Sequence, residues 1–270
     1  STAYYVSIVG GYSNSNSGYY GFIGGGFDNS NTGHCSSIVG GYCNTISAGY
    51  QNLSFIGGGE NNTISSDYGF IGGGQGNKVI TGIRSSIVGG QNNTVSGGYN
   101  FIGGGTYNTA SGARSSIVGG TLNTASATYT FIGGGHSNKT FSQAYVGFIG
   151  GGKSNTTSGQ YSFIGGGRSN IILGSNADSV IVGGNSNCIF DSLSDAFIGG
   201  GTGNTISSYS ETSFIGGGSS NTISDYACRT SIVGGILNTA SANCSFIGGG
   251  ENNCILPTHS HAFIIGSNLT

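Results

Sequence analysis

The sequence contains no methionine, no tryptophan, a single proline (Pro257), and only seven basic and nine acidic residues in 270. Each shortage excludes a class of protein. One proline beside 57 glycines rules out a collagen helix and a proline-rich linker, both of which need abundant proline. A formal net charge of -2 with 35% hydrophobic residues rules out charge-driven disorder, so the chain must fold. No apolar run approaches the roughly eighteen residues of a membrane span, and the N-terminus lacks the charged-then-apolar order of a signal peptide. We therefore expect no membrane insertion. With no methionine there is no initiator, so the sequence reads as a processed form or an internal piece.

Chemistry is equally sparse. The glycine-rich blocks contain no Gly-Lys-Ser/Thr and open no helix, which excludes a phosphate-binding loop. Paired carboxylates for glycan cleavage are missing, the nearest grouping being Asp191 with Asp195. The turns carry Asn where calcium solenoids need Asp, and the hexapeptide repeat of acyltransferase helices is absent. Cysteines 35, 43, 188, 228, 244 and 254 show no Cys-x-x-Cys spacing, although Cys228 and Cys244 are placed to approach one another in successive repeats. His34, His136, His259 and His261 are dispersed, and only His259-x-His261 invites a metal, shared with a second copy. The expectation is a non-enzymatic chain without cofactors, metal sites or nucleic-acid partners.

What is present is a repeat. The pattern [Ser/Phe]-Ile-[Val/Gly]-Gly-Gly-x-x-Asn-[Thr/Ser] recurs seventeen times, on Ile8, Ile23, Ile38, Ile56, Ile71, Ile87, Ile102, Ile117, Ile132, Ile149, Ile164, Ile181, Ile198, Ile215, Ile232, Ile247 and Ile264. Spacings run from 15 to 18 and average 16. Six residues after each of the first sixteen stands an asparagine: Asn14, Asn29, Asn44, Asn62, Asn77, Asn93, Asn108, Asn123, Asn138, Asn155, Asn170, Asn187, Asn204, Asn221, Asn238 and Asn253. A 16-residue unit so rich in glycine holds two short strands and two turns, which is one coil of a parallel β-solenoid. Gly-Gly supplies positive φ for the first turn, and variable spacing is absorbed in the second. Stacked coils align the asparagines into a structural ladder. Residues 1–270 thus read as one repetitive all-β solenoid of about 17 coils, a segment of a longer fibre on the order of 80 Å long at the strand spacing.

Strand alternation puts each Ile on one face and its flanks on the other. In fifteen of seventeen coils the flanks are size-matched, Phe with Gly or Ser with Val; Val180 with Val182 and Phe263 with Ile265 are the exceptions. A first strand apolar on both faces indicates a sheet covered on both sides. The second strand, as in Asn62-Thr63-Ile64-Ser65, has a polar outer face. Two buried aliphatics per coil offset only part of the entropy of ordering it. The expected cover is therefore other copies of the chain, packed through Phe22, Phe55, Phe70, Phe101, Phe131, Phe148, Phe163, Phe197, Phe214, Phe246 and Phe263.

The stretches Ser115-Ser116-Ile117-Val118-Gly119-Gly120, Asn123-Thr124-Ala125-Ser126 and Ser162-Phe163-Ile164-Gly165-Gly166-Gly167 resemble the left-handed parallel β-roll heads of YadA-like trimeric autotransporter adhesins, with similar repeats in phage and viral tail fibres. The resemblance covers essentially the whole chain. It implies a left-handed coil, an obligate homotrimer, an extracellular, cell-surface or virion-surface rod and a role in attachment.

Charge is unevenly placed. Lys78, Arg84, Arg114, Lys139, Lys153 and Arg168 lie in a stretch, residues 68–177, that has no acid, and form a candidate band for anionic host glycans. Tyr5, Tyr20, Tyr68, Tyr99, Tyr129 and Tyr161 stand three residues before the isoleucine and offer either a sugar-stacking stripe or a cover for the sheet edge. Sequons occur at Asn52, Asn61, Asn92, Asn138, Asn155, Asn243 and Asn268. The reading that follows is a structural fibre or adhesin shaft. The alternatives are a filament stacking end to end, an ice-binding solenoid using its Thr-x-Ser face, and a glycan-cleaving tailspike. The Thr-x-Ser face is interrupted at Lys78/Ile80, Lys139/Phe141, Ile171/Leu173, Cys188/Phe190 and Cys254/Leu256.

Overall fold

The computed structural model describes residues 5–47, 53–174, 178–190 and 195–270. The chain is all-β and winds as a parallel β-solenoid in two compact units, Ser1–Tyr129 with Gly133–Gly135, and Thr130–Ile132 with His136–Thr270. Among the described residues each unit has eight complete coils, and the second adds the strand Phe263–Ile264 with no second strand after it. Sixteen complete turns thus stand where seventeen isoleucine blocks were counted.

Every strand is two residues long, and each pairs in parallel with its counterpart one coil away. The coil from Phe55 illustrates the rest. Phe55–Ile56 is the first strand, Gly57 to Asn61 form the first turn, Thr63–Ile64 is the second strand, and Ser65 to Gly69 form the second turn. In register, Phe55 faces Phe70 and Thr63 faces Lys78 across neighbouring coils. The separation between the two strands' buried residues is constant (Ile56 to Ile64, Ile102 to Ala110, Ile215 to Ile223), so differences in coil length fall in the second turn. Short strands suffice because the turns are also paired: Glu60 donates its N–H to Gly74 O at 2.9 Å, continuing the ladder around the corner.

Four inward positions per coil make the core. Two were foreseen, the first-strand Ile and the second-strand Ile, Val, Ala or Thr, fully or almost fully buried in the body of each unit. The third is the asparagine. The fourth is a small residue two before the isoleucine; where it is polar, as at Ser36, Ser54, Ser85 or Ser115, it adds a second set of polar bonds that close the other turn, and Gly69, Gly147 and Ala196 interrupt the series. Ser54 shows how: its N–H donates to Ser36 Oγ at 3.0 Å, and its hydroxyl donates to Ser66 O at 3.0 Å and accepts from Gly69 N at 3.1 Å.

The last glycine of each block, Gly11 through Gly250, has φ between 86° and 98°. A Cβ on Gly105 would stand 2.0 Å from the Gly120 carbonyl oxygen and 2.7 Å from Asn108 Nδ2. The position is glycine both because the backbone is left-handed and because the next coil's backbone occupies the side-chain volume. Two further turn positions are left-handed without glycine, as at Asn61 (φ 55) and Tyr68 (φ 56), and recur coil after coil.

Candidate functional site

The asparagine ladder is built from contacts between side chain and backbone. Asn108 Nδ2 donates to Gly104 O at 3.0 Å in its own coil and to Gly120 O at 2.9 Å in the next, while Asn108 Oδ1 accepts the backbone N–H of Asn123 at 3.0 Å. One carboxamide therefore fastens its own turn and splices it to the following coil. Direct amide-to-amide bonds are added in a few places, such as Asn238 Nδ2 to Asn221 Oδ1 at 3.0 Å. Asn29 to Asn253 are completely buried along the series. Burial also removes the sequons at Asn138 and Asn155 from use, whereas Asn243 and Asn268 are exposed and Asn52 lies outside the described residues.

The outer face of the first sheet is apolar and open in the single chain. Phe101 is 39% and Val118 49% exposed, and consecutive phenylalanines stack along the sheet: Phe55 on Phe70 at 5.6 Å, Phe131 on Phe148 at 5.1 Å, Phe148 on Phe163 at 4.9 Å, Phe197 on Phe214 at 5.4 Å and Phe246 on Phe263 at 4.8 Å between centroids. The size-matching of the flanks has an origin within the stack of coils. A Cβ on Gly57 would stand 2.3 Å from the Gly72 carbonyl oxygen of the next coil and 3.4 Å from Phe55 Cε1, and the same crowding recurs at Gly24, Gly103, Gly165 and Gly216. In the Phe coils the next coil's backbone thus stands where a side chain beside the ring would begin, so the pairing does not by itself require an outside surface.

A different set of residues does point outward. In the Val coils the glycine after the valine (Gly10, Gly89, Gly119, Gly183 and Gly234) has no left-handed φ, and a Cβ there would meet nothing within 4 Å; Gly40 would meet only an ordinary contact at 3.7 Å. Nothing in the chain's own packing forbids a side chain at these places.

The tyrosine stripe and part of the basic band form one structure. In the first unit Tyr68, Arg84, Tyr99, Arg114 and Tyr129 occupy the same left-handed position in successive coils, with Arg84 5.3 Å from the Tyr68 ring and 5.7 Å from Tyr99, and Arg114 5.4 Å from Tyr99 and 5.1 Å from Tyr129. Arg84 also donates to Tyr99 Oη at 2.9 Å. Tyr99 thus has a guanidinium on each side, Tyr5 and Tyr20 stack on each other at 5.4 Å, and Tyr161 meets Tyr145 edge-on, so the stripe is engaged with its own neighbours along the edge. Within the units the six basic residues fall at three kinds of position in the coil. Lys78 and Lys139 lie on the second sheet's outer face, Arg84 and Arg114 in the second turn, and Lys153 and Arg168 in the first turn.

The second sheet presents Thr and Ser in register, broken at the foreseen coils. Ser224 and Ser241 hydroxyls bond to each other at 2.8 Å. All six cysteines are free thiols; Cys244 N–H donates to Cys228 O at 2.9 Å, yet the two are offset by one turn position. Burial pushes the Cys188 thiol up to about 11. The exposed Tyr42 phenol is raised, first by its side-chain hydrogen bond with Cys43 and then by the charge of that thiolate. Among the described residues no three His, Cys, Asp or Glu side chains gather as a metal site, and no helix is long and apolar enough to cross a membrane. Asp191 lies outside the described residues, and Asp195 sits in the left-handed turn position with φ 58. No family model matches the chain, and no curated protein matches it in sequence.

Proposed function

We propose that the chain is a non-enzymatic structural shaft that associates with copies of itself, as a homotrimer, through the outer face of its first sheets, and that the resulting extracellular or virion-surface fibre serves attachment. The observation that carries this reading is the apolar Phe and Val face bordered by glycines whose own coil leaves their side-chain space empty. Exposed apolar patches of this extent mark association surfaces, and a bare backbone strip beside one is what close approach of another chain requires. The resemblance to trimeric adhesin heads supports the trimer and the location at a surface. A catalytic reading draws on no comparable cluster of side chains among the described residues.

The test is Gly119→Gln with Gly234→Gln. Each glutamine fits its own coil, so the circular dichroism spectrum stays as in the parent, while the assembly falls to single chains. Intact assembly in this variant would overturn the interface. The in-register hydroxyls of the second sheet keep ice binding as a second reading, and thermal hysteresis above buffer would move it first.

A further inference from the structure

Four residues after the isoleucine, the first turn carries a side chain that is stacked coil on coil. In the first unit these stacks satisfy themselves. Tyr12, Phe27 and Tyr42 pack ring on ring at 5.4 and 5.3 Å, and Gln75 donates to Glu60 Oε2 at 3.2 Å while Gln91 donates to Gln75 Oε1 at 2.7 Å. In the second unit the same position reads His136, Lys153, Arg168, paired in register across three consecutive coils. Their backbones are fixed by N–H bonds of 2.9 Å to Gly152 O, Gly167 O and Gly184 O, and all three side chains are exposed.

This triad cannot satisfy itself. Two permanent cations and an imidazole stand at the strand spacing of about 4.8 Å, and like charges directly opposite one another in a sheet repel. No carboxylate occurs from residue 68 to residue 177, so these coils supply no counter-charge. Instead Ser137, Ser154 and Ser169 follow the three basic residues in the left-handed position, a parallel row of hydroxyls (φ 55–58). Lys139, three residues after His136, begins the second strand and belongs to that sheet's outer face, not to this row.

We infer that this row binds a linear sulfated polysaccharide lying along the stacked first turns. The inference deepens the attachment role proposed above and rests on that reading. A single small anion reaches one or two of these groups, whereas a chain with repeated sulfates follows a row of cations and hydrogen-bonds the serine hydroxyls. Single-stranded nucleic acid is the poorer fit, because such sites interleave aromatic platforms on which bases stack, and the first turns here carry only Ser, Asn and Gly beside the basic residues.

The experiment measures binding of dextran sulfate to the full chain, with unsulfated dextran and an oligothymidylate as comparison probes, over a range of salt. Expected is sulfate-dependent binding that Lys153→Gln with Arg168→Gln weakens about tenfold, with the slope against log salt reduced by about two. Lys153→Arg with Arg168→Lys keeps it, and Lys78→Gln with Arg84→Gln, the same charge removed elsewhere, changes it less than about twofold. Equal loss in both Gln pairs, no loss in either, or tighter binding of the oligothymidylate would overturn the inference. Mass measured on the same samples separates the two readings: ladder-dependent binding by a single chain contradicts the trimer alone, and a trimer without sulfate binding contradicts the ladder alone.

Discussion

At the scale of the residue, the asparagine carries more of the fold than its size suggests. Leucine at Asn108 would remove the acceptor of the buried Asn123 N–H and the donor to the half-buried Gly104 carbonyl. At about 1 to 3 kcal/mol for each orphaned group, Asn108→Leu is expected to destabilise by on the order of 4 kcal/mol in denaturant unfolding, while Thr109→Val on the neighbouring outward position stays within about 0.5 kcal/mol. Cysteine chemistry follows burial in the same way. Cys188, with its thiol pushed up to about 11, is expected to resist alkylation at pH 7.5, whereas the exposed Cys35 and Cys244 react. Because its folded pKa is raised, the stability Cys188 contributes is full below the ordinary thiol range and is lost as pH rises through about 11. Mass spectrometry of alkylated peptides across that range checks both statements.

At the scale of the element, the strands are too short to act alone, and the ladders in the turns make up the difference. The Tyr–Arg series is the clearest case. Arg114 contacts rings on both sides, so Arg114→Ala is expected to cost about 1 to 2 kcal/mol at about 0.5 to 1 kcal/mol for each exposed pair. A double-mutant cycle with Tyr99→Ala should show coupling, and additivity would mean the stacking contributes nothing. This element also marks the limit of sequence reading. The invariant glycines and asparagines announced themselves because only one residue type fits each place, so period, turn and ladder were all legible. The tyrosines at the Tyr68 position were legible as a stripe, but that Arg84 and Arg114 continue the same series was not, since a left-handed φ at a large side chain leaves no compositional trace and Arg does not look like Tyr. The Ser54 series escaped for a similar reason: Ser, Asn, Thr, Gly and Ala all stand at that position. The basic residues were legible as a charge count, but the count could not tell that Arg84 and Arg114 are committed to tyrosines while Lys153 and Arg168 share an edge with His136.

At the scale of the whole molecule, the first sheets carry an apolar face that a lone chain leaves uncovered. The size-matched flanks have a source within the chain, since the Gly72 carbonyl stands where a Cβ on Gly57 would be, and the glycines at 10, 89, 119, 183 and 234 carry the case for a partner. A chain that worked alone would gain from side chains at those places, since replacing a glycine that has no left-handed φ stabilises by about 0.4 to 1 kcal/mol through the unfolded state. The most direct measurement is the mass of the purified chain in solution by light scattering. A discrete species of three chain masses is predicted, and a single-chain mass that persists at high concentration would contradict the account.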